Sequence, residues 1–437
     1  MSLKLSFKNP NYCATVVELK DFKNLEGCEN VKAAIIMNNQ VIVSNEACVG
    51  QLGLFFPVEC ELSHDLLKAN NLYRDGNLNS NTEKKGYFSE NRRVRCVKLR
   101  GHNSEGLFLP ITCLEYLLGN KFQELSVGSE FDSINGTTVC CKYVVPDTLK
   151  HGSGDEGASK EKAVSRLVEG QVALHFDTTN LKKNVKSINP TDIISISNKV
   201  HGTSWVVGNL LVQKKLKWYE KLLIKFGVSV VDKEYDIVYA SRSVIRNMHF
   251  PKKYTEDPNY VPKFNLWKDI AKKLESVIPK GFTLYGEAIG WEPTGKPIQK
   301  RYAYGFPLNT YGIEIYRITY TNIDGVVAEL GWEQMKEFCE KNALTMVKEI
   351  YYGKAIDYVN DPTCTEENFH EKFLAKLTTD IDNKMCPRND LKVPLEGWVV
   401  RKDGLKRCNS FKFKNILFVE GETKALDKGD TSLEDLN

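Results

Sequence analysis

A lysine that follows an apolar strand pattern is the first candidate for chemistry in this sequence. Residues 193–196 predict a buried β-strand, Lys199 follows it, and two residues separate Lys199 from Gly202. Glycine lets the backbone approach a phosphate closely, and Ser197 adds a small hydroxyl. A lysine amine attacks phosphorus only when neutral, a state that burial or nearby cations favour. The segment indicates a nucleophilic lysine beside a phosphate, although K-x-x-G alone arises often by chance.

Two polar residues at predicted strand ends could bind a nucleotide. Arg242 follows a strand predicted over residues 235–240, where it could hold a ribose or a phosphate. Glu287 lies between Gly286 and Gly290 after a strand predicted over residues 282–284, where it could accept from a ribose hydroxyl or bind a divalent metal. A surface arginine and a turn carboxylate are equally good interpretations of either residue alone.

Tyr311 and Tyr316 belong to an alternating strand pattern and could stack on a purine ring. Core packing is the better interpretation of either tyrosine alone.

The C-terminal third supplies an acid and two cations. Glu396 and Gly397 precede an apolar strand, which suits metal coordination beside an α-phosphate. Lys412 and Lys414 alternate with two phenylalanines, so both lysines should project from one face of a strand. Two cations beside an acid and a nucleophilic lysine would stabilise the negative charge that develops in phosphoryl transfer.

The order of these motifs resembles that of the covalent nucleotidyltransferases, namely RNA ligases, DNA ligases and mRNA capping enzymes. Within that group the chain is similar to the Deinococcus-type RNA ligases, which carry an N-terminal OB-fold module. The closer resemblance includes Lys-x-His-Gly-Thr-Ser at 199–204, His-Phe-Asp-Thr at 175–178 and the stretch 86–95.

This resemblance implies roles for matching residues. Lys199 would carry AMP from ATP as a covalent adduct, Tyr316 would stack on adenine with Tyr311 as the substitute, and Lys412 and Lys414 would contact phosphate. Glu287 would contact the ribose. The remaining nucleotide contacts would be Ser197, Gly202 and Arg242, and Mg²⁺ or Mn²⁺ would bind Glu396 and Glu287. Asn198 stands where the family often has an acid, and Glu314 stands where it often has an aspartate, so the choice of stacking aromatic is open.

The elements that position these residues predict two domains, because 437 residues exceed one domain's usual size. Residues 1–150 alternate as short β-strands and are expected to form an OB-like β-barrel that binds nucleic acid. Residues 151–170 are expected to be a polar linker, although 152–157 match G-x-G-x-x-G. Residues 171–437 are expected to form an ATP-grasp-like nucleotidyltransferase domain of antiparallel sheets flanked by helices. The overall class is α+β.

The first domain should present a basic strand face with aromatic residues nearby, which suits phosphate and base contacts. A solvated edge strand is an equally good interpretation. The alternating cations are Arg92, Arg93, Arg95, Lys98 and Arg100.

Helices are predicted over residues 214–226, 333–341 and 366–377. The first is amphipathic, and packing on a sheet with solvated lysines is preferred over contact with RNA or a membrane.

The amino-acid composition limits the class of protein but does not identify a function. No apolar run is long enough for a membrane span or a secretory signal, so an intracellular, cytoplasmic and soluble monomer is expected, without a membrane partner. The twelve cysteines form no C-x-x-C or C-x-x-H pair, which favours reduced thiols. The formal net charge of +4 is too small to identify a nucleic-acid binder.

The motifs together predict an ATP-dependent RNA ligase of RNA repair that seals 5′-phosphate and 3′-hydroxyl ends in a broken RNA or RNA/DNA duplex. Capping enzymes and DNA ligases typically place an OB domain after the last lysine motif, where only residues 415–437 remain here. A DNA ligase or GTP-dependent capping guanylyltransferase is the first alternative. An inactive nucleic-acid-binding homologue is the second.

Overall fold

The computed structural model describes residues 3–144, 166–174, 178–242, 244–245, 264–389, 391–404 and 409–428. It divides into two compact units. The first comprises Met1–Pro146, Thr179–Val185 and Val419–Gly429. The second comprises Asp147–Thr178, Lys186–Phe418 and Asp430–Asn437. The first unit therefore takes in two short segments that the sequence had assigned to the second domain.

The first unit is built mainly from short antiparallel strands. Its strands are β1 Leu5–Ser6, β2 Ala14–Glu18, β3 Phe22–Asn24, β4 Val31–Ile36, β5 Asn39–Ser44, β6 Leu52–Pro57, β7 Cys60–Leu62, β8 Val97–Leu99, β9 His102–Ser104, β10 Gly106–Pro110, β11 Glu130–Phe131, β12 Ser133–Ile134, β13 Thr137–Thr138, β14 Cys140–Lys142 and β15 Thr179–Asn180. Its helices are α1 His64–Ala69, α2 Glu115–Leu118 and α3 Leu181–Asn184, with 3₁₀ turns at Gly76–Leu78, Ile111–Leu114 and Gly119–Glu124.

These strands pair in the orders β1-β12-β13, β10-β6-β2-β11, β14-β7, β3-β4-β5 and β8-β9. The buried side chains of β2 and β6 alternate between two cores, because Leu54 and Phe56 enter one and Phe55 enters the other. Across the described part of the unit the pairings form separate sheets and close no barrel. The expected OB barrel is therefore not confirmed, whereas an α+β fold of antiparallel sheets and helices is.

The second unit contains two larger antiparallel sheets. Its strands are β16 Ile193–Lys199, β17 Thr203–Gln213, β18 Lys233–Ala240, β19 Phe282–Gly290, β20 Tyr311–Thr321, β21 Val327–Glu329, β22 Glu349–Lys354, β23 Gly397–Lys402 and β24 Asn409–Lys414. Its helices are α4 Trp218–Lys225, α5 Leu266–Leu274, α6 Trp332–Lys341, α7 Ala355–Val359 and α8 Phe369–Ile381, with a 3₁₀ turn at Val185–Ser187. Helix α9, Ile416–Asp427, completes the described chain.

In one sheet the strands of this unit follow the order β24-β23-β16-β22, and in the other they follow the order β18-β17-β19-β20-β21. The main core contains the fully buried Trp205 and Trp332 and the buried faces of α5 and α6. Only Val200 to Gly202 separate β16 from β17, so this turn links the two sheets. The lysine motif therefore spans the end of a strand in one sheet and the start of a strand in the other.

The structure corrects two helix predictions. The third predicted helix, α8, begins at Phe369 and not at Glu366, because residues 361–368 form turns held by their own side chains. The first, α4, does not pack on a sheet, because its apolar side chains are exposed. No helix in the described ranges is both long and apolar enough to cross a membrane.

Candidate active site

Lys199 and Glu396 form the centre of the candidate site. Lys199 is the last residue of β16 and pairs with Gly397 at the start of β23, so Glu396 lies one residue before its cross-strand neighbour. The Lys199 Nζ lies 2.5 Å from Glu396 Oε1. The Glu396 side chain is 3% exposed, whereas that of Lys199 is 24% exposed. The pair therefore combines a partly exposed lysine amine with a buried carboxylate.

The environment keeps Glu396 ionised. Burial alone would raise the pKa of Glu396, but the nearby Lys199, His201 and Lys414 outweigh it and lower the pKa to about 2. His201 Nδ1 lies 4.0 Å from the second carboxylate oxygen, Oε2. Oε2 is buried and accepts no hydrogen bond from the described residues. One lone-pair-bearing oxygen is thus available to a ligand.

The two C-terminal lysines extend this cluster along β24. Lys414 pairs with Gly397 and Lys412 pairs with Val399, while Phe411 and Phe413 are buried on the other face. The predicted alternation of lysine and phenylalanine is confirmed. Because cross-strand partners share a face, Lys199, Lys412 and Lys414 project from the same side of this sheet.

Ser197 lies two residues before Lys199 and shares its face of the sheet. It is 5% exposed and lies opposite Val399 of β23. Its hydroxyl therefore lies deeper in the sheet than the lysine amine.

The turn after Lys199 is fixed by side chains from elsewhere in the unit. The His201 backbone N–H donates to the Tyr304 hydroxyl at 2.8 Å, and Gln299 Nε2 donates to the Gly202 carbonyl at 2.6 Å. A Cβ on Gly202 would lie 2.2 Å from the Ala288 carbonyl oxygen and 2.8 Å from Glu287 Cγ. Glycine is required here because the neighbouring strand β19 packs directly against the backbone.

A second polar group lies on the other sheet, immediately after this turn. Ser204 of β17 pairs with Glu287 of β19, and Ser204 Oγ donates to Glu287 Oε2 at 3.2 Å. Glu287 lies inside β19 and is buried, whereas the sequence placed it beyond the strand end. Burial and then Glu287 raise the pKa of Tyr316, while Arg242 opposes the shift. These effects place Tyr316, Glu287 and Arg242 in one neighbourhood.

The structure separates the two candidate stacking tyrosines. The pairing of β19 with β20 shifts register at Tyr316, between the pairs Gly286–Ile315 and Tyr285–Arg317, so the contacts of each tyrosine rather than strand alternation show where its ring lies. The Tyr311 hydroxyl donates to Asp269 of α5, and Lys273 Nζ lies 3.9 Å from the centre of the Tyr311 ring. Tyr316 therefore lies near Glu287 and Ser204, whereas Tyr311 faces the helix.

Like His201, Ser204 and Gln299, the residues Glu314, Arg388 and Tyr304 were not named as candidates in the sequence analysis. Glu314 pairs with Glu287 across β19 and β20, and its carboxylate forms an ion pair with Arg388. The Arg388 guanidinium lies 5.5 Å from the centre of the Tyr304 ring. Glu314 lies within the alternating strand pattern of residues 311–316, and this pattern could have identified it as a candidate. Arg388 and Tyr304 lie in loops without a motif.

The predicted basic face of the first unit is only partly present. The Arg93 side chain is fully buried, where it pairs with Glu59 at 3.0 Å and Asp427 at 2.5 Å and donates to the Thr423 carbonyl. Arg93 as an exposed nucleic-acid contact is therefore wrong. Arg92 pairs with Glu61, and Arg95 pairs with Asp427.

The remaining two cations of that set are exposed. Lys98 lies on β8, and Arg100 follows it in the turn to β9, where its side chain donates to the Gly27 carbonyl. The expected alternation fails because Arg92 and Arg100 adopt positive φ angles and only Val97–Leu99 form a strand.

Metal coordination would have to come from few protein ligands. Among the described residues no group of three histidines, cysteines or acids is arranged to hold a metal ion. The described cysteines are free thiols, as predicted. Glu396 Oε2 nevertheless fits a divalent cation, because it is anionic, buried and without a hydrogen-bond donor.

The sequence matches no protein-family model and no curated protein. Its fold, however, is similar to solved structures of an RNA ligase from Naegleria gruberi. A variant of that enzyme with ATP and Mn has a TM-score of 0.57 and 15% sequence identity, covering 93% of this chain and 98% of that chain. A variant with AMP and Mn has a TM-score of 0.55 at 15% identity, with coverage of 93% and 98%.

A third structure of the Naegleria ligase, with PPi, has a TM-score of 0.55 and 14% identity and covers 94% of this chain and 98% of that chain. At these identities the similarity establishes a shared fold.

Proposed function

We propose that this chain is an ATP-dependent RNA ligase that transfers AMP to Lys199 and uses the adduct to join RNA ends. The observation that carries the proposal is the Lys199 amine, 2.5 Å from a buried carboxylate on a sheet face shared with Lys412 and Lys414. The Naegleria ligase gives independent support, because its structures contain ATP, AMP and pyrophosphate. These are the reactant, the transferred group and the leaving group of adenylylation.

In the first step the Lys199 Nζ attacks the α-phosphorus of ATP. A nitrogen–phosphorus bond forms, the bond from phosphorus to the bridging oxygen breaks, and pyrophosphate leaves. The Lys199 ammonium must first lose a proton to solvent water, and the ion pair with Glu396 orients the side chain before that loss. Lys412 and Lys414 supply positive charge where phosphate oxygens gain negative charge.

The second sheet would bind the nucleoside. Glu287 would accept from a ribose hydroxyl, and Tyr316, which lies near Glu287, would stack on adenine. Arg242 and Ser197 would contact phosphate or ribose, and Gly202 would allow the backbone to approach. The ring of Tyr311 is occupied by its contacts with α5, so Tyr316 is the preferred stacking residue.

Divalent metal would bind Glu396, with Glu287 as the second protein ligand and nucleotide phosphates supplying further oxygens. Mg²⁺ or Mn²⁺ there would neutralise charge on the departing pyrophosphate. Glu396 suits this role because its carboxylate stays ionised and one oxygen has no donor among the described residues.

Two further displacements complete the reaction. An oxygen of the RNA 5′-phosphate attacks the lysine-bound phosphorus, breaking the nitrogen–phosphorus bond and restoring the Lys199 amine. A 3′-hydroxyl then attacks the 5′-phosphate, forming the phosphodiester and releasing AMP. Each step is an in-line substitution at phosphorus that positioning and charge can accelerate.

The first unit would bind the broken RNA or RNA/DNA duplex. Lys98 and Arg100 are the exposed cations of the predicted set and supply phosphate contacts, with Arg92 and Arg95 half-buried beside them. The closer affiliation with Deinococcus-type ligases, an OB-like role for this unit, a role in RNA repair and a monomeric state remain part of the proposal.

Sealing assays on nicked duplexes test the substrate. Duplexes with RNA or DNA on the 3′-hydroxyl side are incubated with ATP or GTP and Mg²⁺, and sealed strands are resolved on denaturing gels. We expect sealing with ATP when RNA supplies the 3′-hydroxyl. Sealing of DNA alone would identify a DNA ligase, GMP transfer would identify a capping enzyme, and RNA binding without nucleotidyl transfer would identify an inactive homologue.

A further inference from the structure

The segment between β17 and β18 carries an exposed apolar surface that the proposed function does not use. Helix α4 spans Trp218–Lys225, and the backbone reverses at Gly227. Trp218 is 77% exposed, Phe226 is 76% exposed, and Val231 is 74% exposed. The other large apolar side chains exposed in this segment are Tyr219, Leu222, Leu223, Ile224 and Val228. We call residues 214–231 the α4 segment.

The apolar side chains of α4 lie together. At about 100° per residue, Trp218, Leu222, Phe226, Tyr219 and Leu223 fall on one continuous side of the helix. A single exposed apolar residue is ordinary, but a contiguous exposed stripe marks an interaction surface. Helices this short are also marginal in water unless an apolar face is covered. Among the described residues, therefore, nothing covers the apolar side of the α4 segment.

Lysines border the apolar side of the helix and precede its N-terminus. Residues 214–226 contain five lysines and one acid, and the lysines are Lys214, Lys215, Lys217, Lys221 and Lys225. The acid, Glu220, is neutralised within the segment, because its carboxylate lies 2.6 Å from Lys214 Nζ and accepts from the Lys217 backbone N–H at 2.7 Å. The segment thus presents net positive charge next to its apolar stripe.

We infer that the α4 segment docks onto the surface of a bilayer containing anionic phospholipid. Apolar side chains of α4 would enter the boundary between headgroups and acyl chains, while lysines at the stripe's edges reach the phosphates. Trp218 and Phe226, at the two ends of the stripe, are residues that favour this interface. The inference goes beyond the ligase reaction and does not rest on it.

Charge and side-chain chemistry favour a bilayer over the other occupants. A second copy docked face to face would bring two lysine-rich segments together at a cost in electrostatic free energy. RNA would satisfy the lysines and stack on Trp218, Tyr219 and Phe226, but it would leave the exposed aliphatic Leu222, Leu223 and Ile224 uncovered. An anionic bilayer is complementary to both the apolar stripe and the lysines of the segment.

Vesicle binding by the full chain tests the inference. Sedimentation is measured with vesicles of phosphatidylcholine alone and with phosphatidylserine added at roughly one part in four. We expect binding to the anionic vesicles that is weaker without phosphatidylserine and in high salt. Tryptophan emission should shift to the blue on binding, because Trp218 is the most exposed tryptophan, whereas Trp205, Trp332 and Trp398 are buried.

Three paired-substitution variants make the test specific. Trp218→Ser with Phe226→Ser should lower partitioning by about tenfold or more. Leu308→Ser with Ile323→Ser removes two equally exposed apolar side chains elsewhere and should bind as the wild type does. Lys221→Glu with Lys225→Glu should also lower binding to anionic vesicles by about tenfold or more. This variant tests the same surface if the first variant fails to fold.

The inference is overturned if wild-type protein does not sediment with anionic vesicles, or if both α4 variants bind as tightly as the wild type. Dimerisation lost in the Trp218 and Phe226 variant, measured by light scattering, would assign the surface to a second copy instead. Crosslinking of RNA to position 218 would assign it to nucleic acid.

Discussion

At the residue scale, the proposed chemistry depends on a carboxylate that remains charged while almost completely buried. Glu396 achieves this because Lys199, His201 and Lys414 surround it. Removing one member of a buried pair leaves the other charge uncompensated, which is costlier than the pair's net contribution. Glu396 should therefore matter both to stability and to adenylylation.

Glu396→Gln should slow formation of the adenylylated protein by at least about a hundredfold. It should also change the pH dependence of unfolding. The folded-state pKa of about 2 lies below the ordinary value of 4.5, so the ionised carboxylate stabilises the protein above pH 4.5 and this contribution is lost as the pH falls toward 2. Its size is of the order of 3 kcal/mol.

Urea unfolding of wild type and Glu396→Gln, followed from neutral to acidic pH, measures that contribution. The difference in free energy of unfolding should shrink on acidification, whereas Glu340→Gln, at an exposed position of α6, should show no such trend. A difference that stays constant between pH 6 and about 2 would show that the carboxylate is not held ionised by its neighbours.

Tyr316→Ala should raise the ATP concentration for half-maximal adenylylation by roughly tenfold or more, because base stacking contributes about 1–3 kcal/mol. Tyr316→Phe keeps the ring and should behave nearly as the wild type. Tyr311→Phe removes only the hydrogen bond to Asp269 and should leave ATP affinity unchanged. Adduct formation at varied ATP concentration measures all three. A larger effect from Tyr311→Phe than from Tyr316→Ala would reverse the assignment.

Several residues that the sequence motifs singled out lie close together, because the strands that carry them are neighbours in one sheet. Lys199, Glu396 and Lys414 meet because each lies at a strand end in one sheet, and the alternation of Lys412 with Phe411 and Phe413 follows directly from strand geometry. The pair of Arg388 and Glu314 could not be predicted, because the two residues are far apart in sequence and Arg388 belongs to no periodic pattern.

At the element scale, the turn between β16 and β17 fixes the distance between the two sheets' polar groups. Gly202 lies against the Ala288 carbonyl, so an added methyl group would force β17 and β19 apart. The sequence suggested glycine for approach to a phosphate, but the structure shows an additional steric reason that depends on a distant strand.

Gly202→Ala should lower the free energy of unfolding by about 1–3 kcal/mol and strongly reduce adduct formation. Gly421→Ala is the matched control, because Gly421 lies within α9 and its added Cβ would meet no atom within 4 Å. That control should be neutral or stabilising by up to about 1 kcal/mol. Thermal unfolding and adduct formation measure both variants. Equal behaviour of the two would contradict the packing argument.

The periodicity of apolar residues predicted helices but did not predict which elements pack against them. The pattern of residues 214–226 predicted an amphipathic helix, and the structure has a shorter one, α4, at Trp218–Lys225. A sequence pattern does not show whether another element packs against the apolar face. The same limit explains Arg93, whose alternation suggested exposure. Residues of α9 bury it, and they lie more than three hundred positions later in the chain.

At the scale of the whole molecule, two units of different architecture would share one reaction. The second carries the candidate active site. The first has short strands, a buried arginine network and only two fully exposed members of its predicted basic set. Contact with nucleic acid through this unit should therefore be electrostatic and limited in extent.

Lys98→Ala with Arg100→Ala should weaken RNA binding at low salt and reduce the slope of log affinity against log salt concentration by about 1.5–2, because two phosphate contacts are lost. Lys68→Ala with Lys121→Ala removes two exposed lysines elsewhere in the same unit and should leave the slope unchanged. Fluorescence anisotropy across a salt series measures both. An unchanged slope in the first variant would remove these cations from the RNA contact.

The identity of the nucleophile is the central claim, and intact-mass measurement tests it most directly. Purified protein is incubated with ATP and Mg²⁺ or Mn²⁺, and the modified residue is located by peptide mass spectrometry. We predict one AMP per chain on Lys199 through an acid-labile bond, and no adduct on Lys199→Ala. An adduct that persists in Lys199→Ala, or wild-type protein that never acquires AMP, would contradict the account.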